Sequence, residues 1–351
     1  MPGRIGPVED DTGLDPGLSA AAVRVVAFLG GRTVLDRLAE LSGSDFTSLM
    51  LEVASRRAAR ESAATVVRRY RNDRFVQPAS LPWRTLRRAE DLMTGNVPAS
   101  YELLTLAPLV PLGTHSALGP VSQDKVVTAM RACEVAADPT NALALEAAVR
   151  RLARPGETIR LAAVQRVVRA QQTGPGYLPH FGLLGLVTAG GDRGGRQFER
   201  AAVGEHVRAL AGGLAAAGLA PAQLALTPLS AAGGTLAAAV AADLAGPVIK
   251  VVTDPDRQSG RGYYRDLCYK INIRRGGEEG TAADADGEAA GGQWQAAAEG
   301  TAAAGEWQEV ADGGFTDWAA RLAASGKERL LISGLGIDRL AAMLPDDAPA
   351  R

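Results

Sequence analysis

Near its C-terminus the chain runs through "RLLIS" (Arg329–Ser333) into Gly334-Leu335-Gly336 and then "IDRLAAML". That pattern is a strand, a glycine-punctuated turn, and a helix whose first turn carries Asp338 and Arg339. Asp338 suits the positive end of a helix dipole. Arg339 opposes it by about 0.3–1 kcal/mol unless an anion lies close. Arg339 is therefore either a solvated surface group or half of an anion site. A second set of candidates lies in "IRLAAVQRVVRAQQTGPGYLPHFGLLGLVTAG" (Ile159–Gly190), which spaces Arg166, Arg169 and Gln171 along the first arm of a hairpin. Arginines stay charged and offer planar donor forks, which suits phosphate or carboxylate recognition. Other chemistries find little support. The three histidines show no triad or metal-ligand spacing, and Cys133 and Cys268 stand far apart, as small buried hydrophobes rather than a disulfide.

The elements that must position these groups follow from composition and periodicity. With 351 residues, 46% hydrophobic and 22% charged, the chain can bury a sizeable core in two or three domains. A net charge of −1 sets up no global field for nucleic acid or an anionic membrane. No apolar stretch reaches the roughly 18–20 residues that span a bilayer. The longest, Leu229–Gly246, is broken by Gly233-Gly234 and Asp243 and reads as a buried or half-buried helix. The opening "MPGRIGPVEDDTGLDPG" is acidic and turn-rich, unlike a signal peptide. A cytoplasmic protein with no membrane partner is expected.

Residues 1–17 are expected to form a disordered tail, and 18–95 a helical region with apolar residues at three- and four-residue spacing. Within it, "ASRRAARESAATVVRRYRNDR" (Ala54–Arg74) is either a solvated amphipathic face or an RNA-contacting one. Prolines 98, 108 and 111 exclude a continuous helix, and "YELLTLAPLV" suits an extended strand. From there, residues 96–344 alternate between strands and helices in an α+β pattern. Expected strands include "NALALEAA", "TIRLAAVQRVVRA", "HFGLLGLVTAG", "PVIKVVTD", "DLCYKINIR" and "RLLISG"; expected helices are "ERAAVGEHVRALAGGLAAAG" and "FTDWAARLAAS". The Gly/Ala/Glu-rich segment 274–306 carries too little apolar surface to order itself and reads as a flexible insertion between two strands of one sheet. Residues 345–351 form a tail.

In order and spacing, the segments from Tyr101 to Leu344 resemble the catalytic core of class II aminoacyl-tRNA synthetases, closest to the histidyl-tRNA synthetase branch and its relative, the ATP phosphoribosyltransferase regulatory subunit. "YELLTLAPLVPLGTHSALG" looks like the dimer-forming first motif, and "QRVVRAQ" with "GYLPHF" like the second. "GRGYYRDLCYKI" looks like the branch's tyrosine-pair segment, "GGFTDW" like its Gly-Gly-Arg-Tyr-Asp, and "GLGIDRLAAML" like the third motif. The resemblance implies a class II synthetase-like, mainly antiparallel mixed sheet flanked by helices, assembled as a homodimer. It implies that Arg166 neutralises the α-phosphate of ATP and Arg339 holds the γ-phosphate, with magnesium. Gln171 would assist, and Gly334 and Gly336 would admit adenine close to the backbone. It would make Glu146 a substrate-amine contact, although a salt bridge is the plainer reading. Arg261, Tyr263 and Tyr264 would face the substrate, although tyrosines also fill cores.

Departures from the family pattern shape the functional expectation. Val168 stands where the second motif has its adenine-reading glutamate, Ser259 where an arginine precedes the tyrosine pair, and Phe315 where Gly-Gly-Arg-Tyr-Asp has its arginine. The second hairpin arm, "GLLGLV", is wholly apolar, so histidine activation is not expected. The chain ends seven residues beyond Leu344, so no anticodon-binding domain and no tRNA recognition are expected. Three functions remain. The foremost is a nucleotide- or small-molecule-binding regulatory or accessory subunit of a partner enzyme. The second is an ATP-dependent ligase that forms an acyl-adenylate for an acceptor other than tRNA. The third is an RNA-binding protein using the arginine-rich N-terminal helices.

Overall fold

The computed structural model describes residues 18–119, 121–170, 179–274 and 307–344. The tails expected at 1–17 and 345–351, Gln171, and the expected insertion apart from Arg274 lie outside the described residues. The chain divides into two compact units, residues 1–68 with 129–132, and residues 69–128 with 133–351.

The smaller unit is helical, with α1 (Ala20–Phe28), α2 (Arg32–Glu40), α3 (Gly43–Ala58) and the start of α4 (Ala63–Asn72). Ser19 and Ser42 begin α1 and α3, their hydroxyls accepting from the Ala22 and Asp45 amides at 3.2 and 3.1 Å.

The larger unit is built on α5 (Trp83–Thr94), β1 (Glu102–Leu103), β2 (Leu109–Pro111), α6 (Thr114–Leu118), β3 (Thr128–Ala129), β4 (Cys133–Val135), α7 (Pro139–Ala153), β5 (Ile159–Val168) and β6 (His180–Gly191). It continues through α8 (Gln197–Ala216), β7 (Ala222–Pro228), α9 (Ala231–Leu244), β8 (Ile249–Thr253), β9 (Arg265–Arg274), β10 (Trp307–Thr316), α10 (Trp318–Leu322), β11 (Glu328–Gly336) and α11 (Ile337–Ala341). Among the described residues, the main sheet has the order β1-β5-β6-β11-β10-β9-β7-β8. Only β1–β5 and β7–β8 are parallel pairs.

Side chains alternate between the two faces of a strand, and here both faces are covered, which is why β6 and β11 read as unbroken apolar runs. On one face, α5, α8, α9 and α11 bury Leu184, Leu186, Leu331, Leu335 and Ile271. On the other, α7 and α10 bury Leu161, Val187, Leu330, Ile332 and Cys268. A chain of polar groups threads the first face. Tyr269 meets Ser333 at 2.5 Å, Ser333 meets His206 Nδ1 at 2.6 Å, His206 Nε2 meets Thr188 at 2.9 Å, and Thr188 meets Tyr101 at 2.6 Å. Gly313 is required beside it, because a Cβ there would lie 2.6 Å from Ser333 Oγ.

Two expectations need correction. "NALALEAA" is not a strand but the body of α7. Asp138 caps it, accepting from the Thr140 amide at 2.9 Å, Pro139 opens it, and Leu143, Ala144 and Ala147 recur at helical spacing on the sheet side. "YELLTLAPLV" is divided between β1, in the main sheet, and β2, which pairs with β4 in a separate three-stranded sheet. The other expected strands are present, as is α8; of "FTDWAARLAAS", Phe315 and Thr316 end β10 and only Trp318–Leu322 are helical, as α10.

Candidate functional site

The arginine chemistry divides between the two faces of the sheet. Arg166, on β5, takes the α8–α11 face. Its Nη2 donates to Asp338 Oδ1 at 3.1 Å and its Nε to His180 Nδ1 at 2.9 Å. Asp338 Oδ2 accepts from the Gly182 amide at 2.6 Å, so this carboxylate ties α11 to β6 and to the hairpin arginine at once. His180 accepts on Nδ1, which leaves Nε2 to donate to the Gln77 carbonyl at 2.6 Å. Arg339 follows Asp338 directly, but its Nη1 donates to the carbonyl of Glu309 on β10. Arg166 thus bonds β6 and α11, while Arg339 bonds the β10 backbone.

Arg169 lies three residues beyond Arg166. An odd step along an extended chain changes faces, and Arg169 turns to the α7 side. Its Nε donates to the Ala137 carbonyl at 3.0 Å, its Nη2 approaches Asp138 Oδ2 at 3.4 Å, and its guanidinium lies 5.1 Å from the Phe181 ring centroid. The tyrosine pair is on this face too. Tyr263 meets Tyr264 edge-on at 5.0 Å and Trp318 edge-on at 5.4 Å. Two glycines allow the rings to sit so deep: a Cβ on Gly119 would fall 2.8 Å from Tyr263, and one on Gly314 2.6 Å from Tyr264. Burial pushes both phenols well above their usual range.

Arg257 completes the face. It is 5% exposed, and its guanidinium lies 5.8 Å from the Tyr264 ring centroid. Its Nη2 donates to Asp312 Oδ1 at 2.9 Å and its Nε to the Ser259 carbonyl at 2.8 Å. Its Nη1 is buried and finds no hydrogen-bond partner among the described residues. Burial opposes the charge on this guanidinium, but the Asp312 carboxylate outweighs it and holds the pKa above the usual arginine range. Burial pushes Asp312 up to about 6 despite its partner.

Of the other residues expected at the site, Arg261 folds back on its own loop, donating to the carbonyls of Arg257 and Pro255 at 2.7 Å each. Glu146 lies on the outer side of α7 in an ion pair with Arg150 at 2.7 Å, and Arg150 also bonds Glu102. Gly334 sits in β11 between Gly185 and Asp312, and Gly336 begins α11. Arg257, Asp312 and Asp138 did not stand out in the sequence. Arg257 is two residues from Ser259, the position at which the resemblance places an arginine, and that displacement hid it.

Chemically, the α7 face offers fixed cations on an aromatic floor. A buried N–H without an acceptor fits an oxyanion, phosphate or carboxylate. Cys268, beneath Tyr264, is fully buried and its thiol is pushed up to about 11, so it is no nucleophile at neutral pH. No group of three or more His, Cys, Asp or Glu residues suited to a metal ion occurs among the described residues.

No protein-family model and no curated protein matches the chain. Solved structures do. The chain resembles an ATP phosphoribosyltransferase regulatory subunit/histidyl-tRNA synthetase from Bacillus halodurans with a TM-score of 0.54 and 15% identity, over 78% of this chain and 82% of that one. It resembles apo histidyl-tRNA synthetase from S. aureus at 0.53 and 15%, over 76% and 68%. A histidine–tRNA ligase subunit from Alicyclobacillus acidocaldarius gives 0.52 and 15%, over 76% and 95%. The mainly antiparallel sheet with its flanking helices is the class II synthetase-like fold that these structures share.

Proposed function

We propose that the chain is a synthetase-like accessory or regulatory subunit that binds a nucleotide or another small anion and does not charge tRNA. The observation that carries this reading is the state of the arginines. Arg166, Arg169 and Arg257 each face a carboxylate of the chain itself, Asp338, Asp138 and Asp312. Adenylate formation relies on cations aimed at the charge that develops on the reacting phosphate. Guanidiniums already neutralised by the protein serve recognition better than that chemistry. What remains is the unmatched Nη1 of Arg257, a recognition contact for one oxyanion.

If the ligand is ATP, Arg257 and Arg169 hold its phosphates on the tyrosine face, while Arg166 and Asp338 fix the hairpin on the α11 face. Magnesium would enter with the nucleotide, on its phosphates. The chain is a two-fold homodimer along β2, where Leu109 and Leu112 are exposed, and it acts on a partner enzyme. It works in the cytoplasm, and no described helix is long and apolar enough to cross a membrane.

Thermal shift with ATP/Mg²⁺ on wild type and Arg257→Ala, run beside amino-acid-dependent ATP–pyrophosphate exchange, is the test. The expected result is a Tm rise that Arg257→Ala abolishes, with no exchange for any amino acid. Exchange above background would overturn the proposal in favour of the ligase reading.

A further inference from the structure

A second anionic ligand is indicated well away from the tyrosine face. Between Arg69 and Arg88 the sequence places six arginines against the single Asp73, in a chain whose net charge is −1. Within the same twenty residues three aromatic rings are exposed: Tyr70, Phe75 and Trp83, the last 73% accessible. Each stands beside an arginine in sequence: Tyr70 between Arg69 and Arg71, Phe75 after Arg74, Trp83 before Arg84. Large aromatic groups left in water cost hydrophobic free energy, so three of them within twenty residues ask what covers them.

The segment is held in shape. Gln77 folds back so that its side-chain amide donates to the carbonyls of Tyr70 and Arg71, at 3.3 and 2.7 Å, and its own carbonyl accepts from His180 on β6. Asp73 accepts from the Phe75 amide at 2.9 Å. Beyond the connector, Trp83, Arg84, Arg87, Arg88 and the acidic Asp91 line an open groove of about 580 Å³, with Leu92 and Asn96 at its side. Arg87 is paired with Glu90 and Asp91 at 3.2 and 3.0 Å. Such exposed pairs are worth about 0–1 kcal/mol and give way readily to a phosphate.

We infer that the surface from Tyr70 through the Trp83 groove binds single-stranded nucleic acid without sequence preference. Bases stack on sequence-tolerant aromatic platforms while guanidiniums follow the backbone, and alternation of the two residue types is the pattern that this mode requires. An acidic protein segment would satisfy the arginines but would leave three rings with nothing planar to meet. The inference is independent of the accessory-subunit reading.

Fluorescence anisotropy of the full chain with a labelled uridine 20-mer, from 50 to 200 mM salt, tests it. Each phosphate contact contributes about −0.7 to the slope of log K against log salt. Arg84→Gln/Arg87→Gln/Arg88→Gln should flatten the slope by about two and weaken binding at low salt by at least tenfold. Trp83→Ala should weaken binding roughly five- to fifty-fold with the slope unchanged, and Trp83→Phe should restore most of it. Trp83, Arg84 and Arg87 are exposed and Arg88 is half-buried, so an unaltered far-UV spectrum and Tm are required to show that the variants fold. Failure of the arginine or Trp83→Ala variants to weaken binding overturns the inference. Competition by polyglutamate as strong as by unlabelled RNA also overturns it, and assigns the surface to an acidic protein instead.

Discussion

Arg257 reaches Asp312 with one terminal nitrogen, at 2.9 Å, and leaves the other buried without an acceptor. A buried ion pair contributes little net stability, because desolvation offsets the attraction, yet breaking it by removing one partner strands the other charge. Arg257→Ala should therefore destabilise the chain by about 3–5 kcal/mol in urea unfolding. Asp312→Asn, which keeps an acceptor for Arg257, should cost clearly less. Equal losses would show that the pair acts through packing alone.

The two hairpin arginines should separate in ligand assays. Arg169 shares a face with the tyrosine pair, whereas Arg166 is held by Asp338 on the other. Arg169→Lys, which keeps the charge but loses the fork, should reduce the ATP-induced rise in Tm by more than half. Arg166→Lys should leave most of it. The reverse ranking would return the ligand to the α11 face.

His206 governs part of the acid response. Burial lowers its pKa from 6.5 to about 3, so the folded protein holds it neutral between Ser333 and Thr188. Where the folded pKa of a base is depressed, the unfolded chain binds more protons. Stability is then full above about pH 6.5 and falls as pH drops toward 3. Asp312, with its pKa raised from 3.8 to about 6, acts in the opposite sense: its share is full below about pH 4 and is lost as pH rises through 6. In urea melts from pH 7 to 4, His206→Gln should flatten the acid-side decline relative to wild type, and Asp312→Asn should steepen it.

Gly233 in the first turn of α9 tests a close approach. A Cβ there would lie 1.8 Å from the Asp266 carbonyl oxygen, which belongs to β9 and also accepts from the Leu229 amide. Backbone at that depth cannot swing aside as a long side chain does. Gly233→Ala should cost about 3 kcal/mol or more by urea unfolding. Gly234→Ala, whose Cβ meets nothing within 4 Å, is the control and should be neutral or slightly stabilising.

Much of the architecture was legible because β6 and β11 carry long apolar stretches, and β9 alternates apolar and polar residues over most of its length. α7 was misread because "NALALEAA" offers alanine and leucine at spacings that satisfy both periods. The deciding signal was Asp138-Pro139 just upstream, a helix start rather than a strand edge. At the site, the tyrosine pair packs on the α7 face, while Arg166 and Arg169, three residues apart, take opposite faces of the sheet. A strand's two-residue period makes the difference between Arg166 and Arg169 a difference of face, and no count of motif letters shows it. Arg257 escaped for a related reason: the loop before Tyr263 sets its reach in space, and the alignment of a single position does not.

At the far end of β9, Arg274 and Trp307 are register partners, with the guanidinium 4.5 Å from the indole ring centroid. The polypeptide therefore leaves the sheet and rejoins it at adjacent points, and closing a gap between neighbouring strands is almost indifferent to how many residues do it. Residues 275–306 could be traded for a two-residue turn, or for an inserted reporter domain, without shifting the register of either strand. The hairpin is a grafting port.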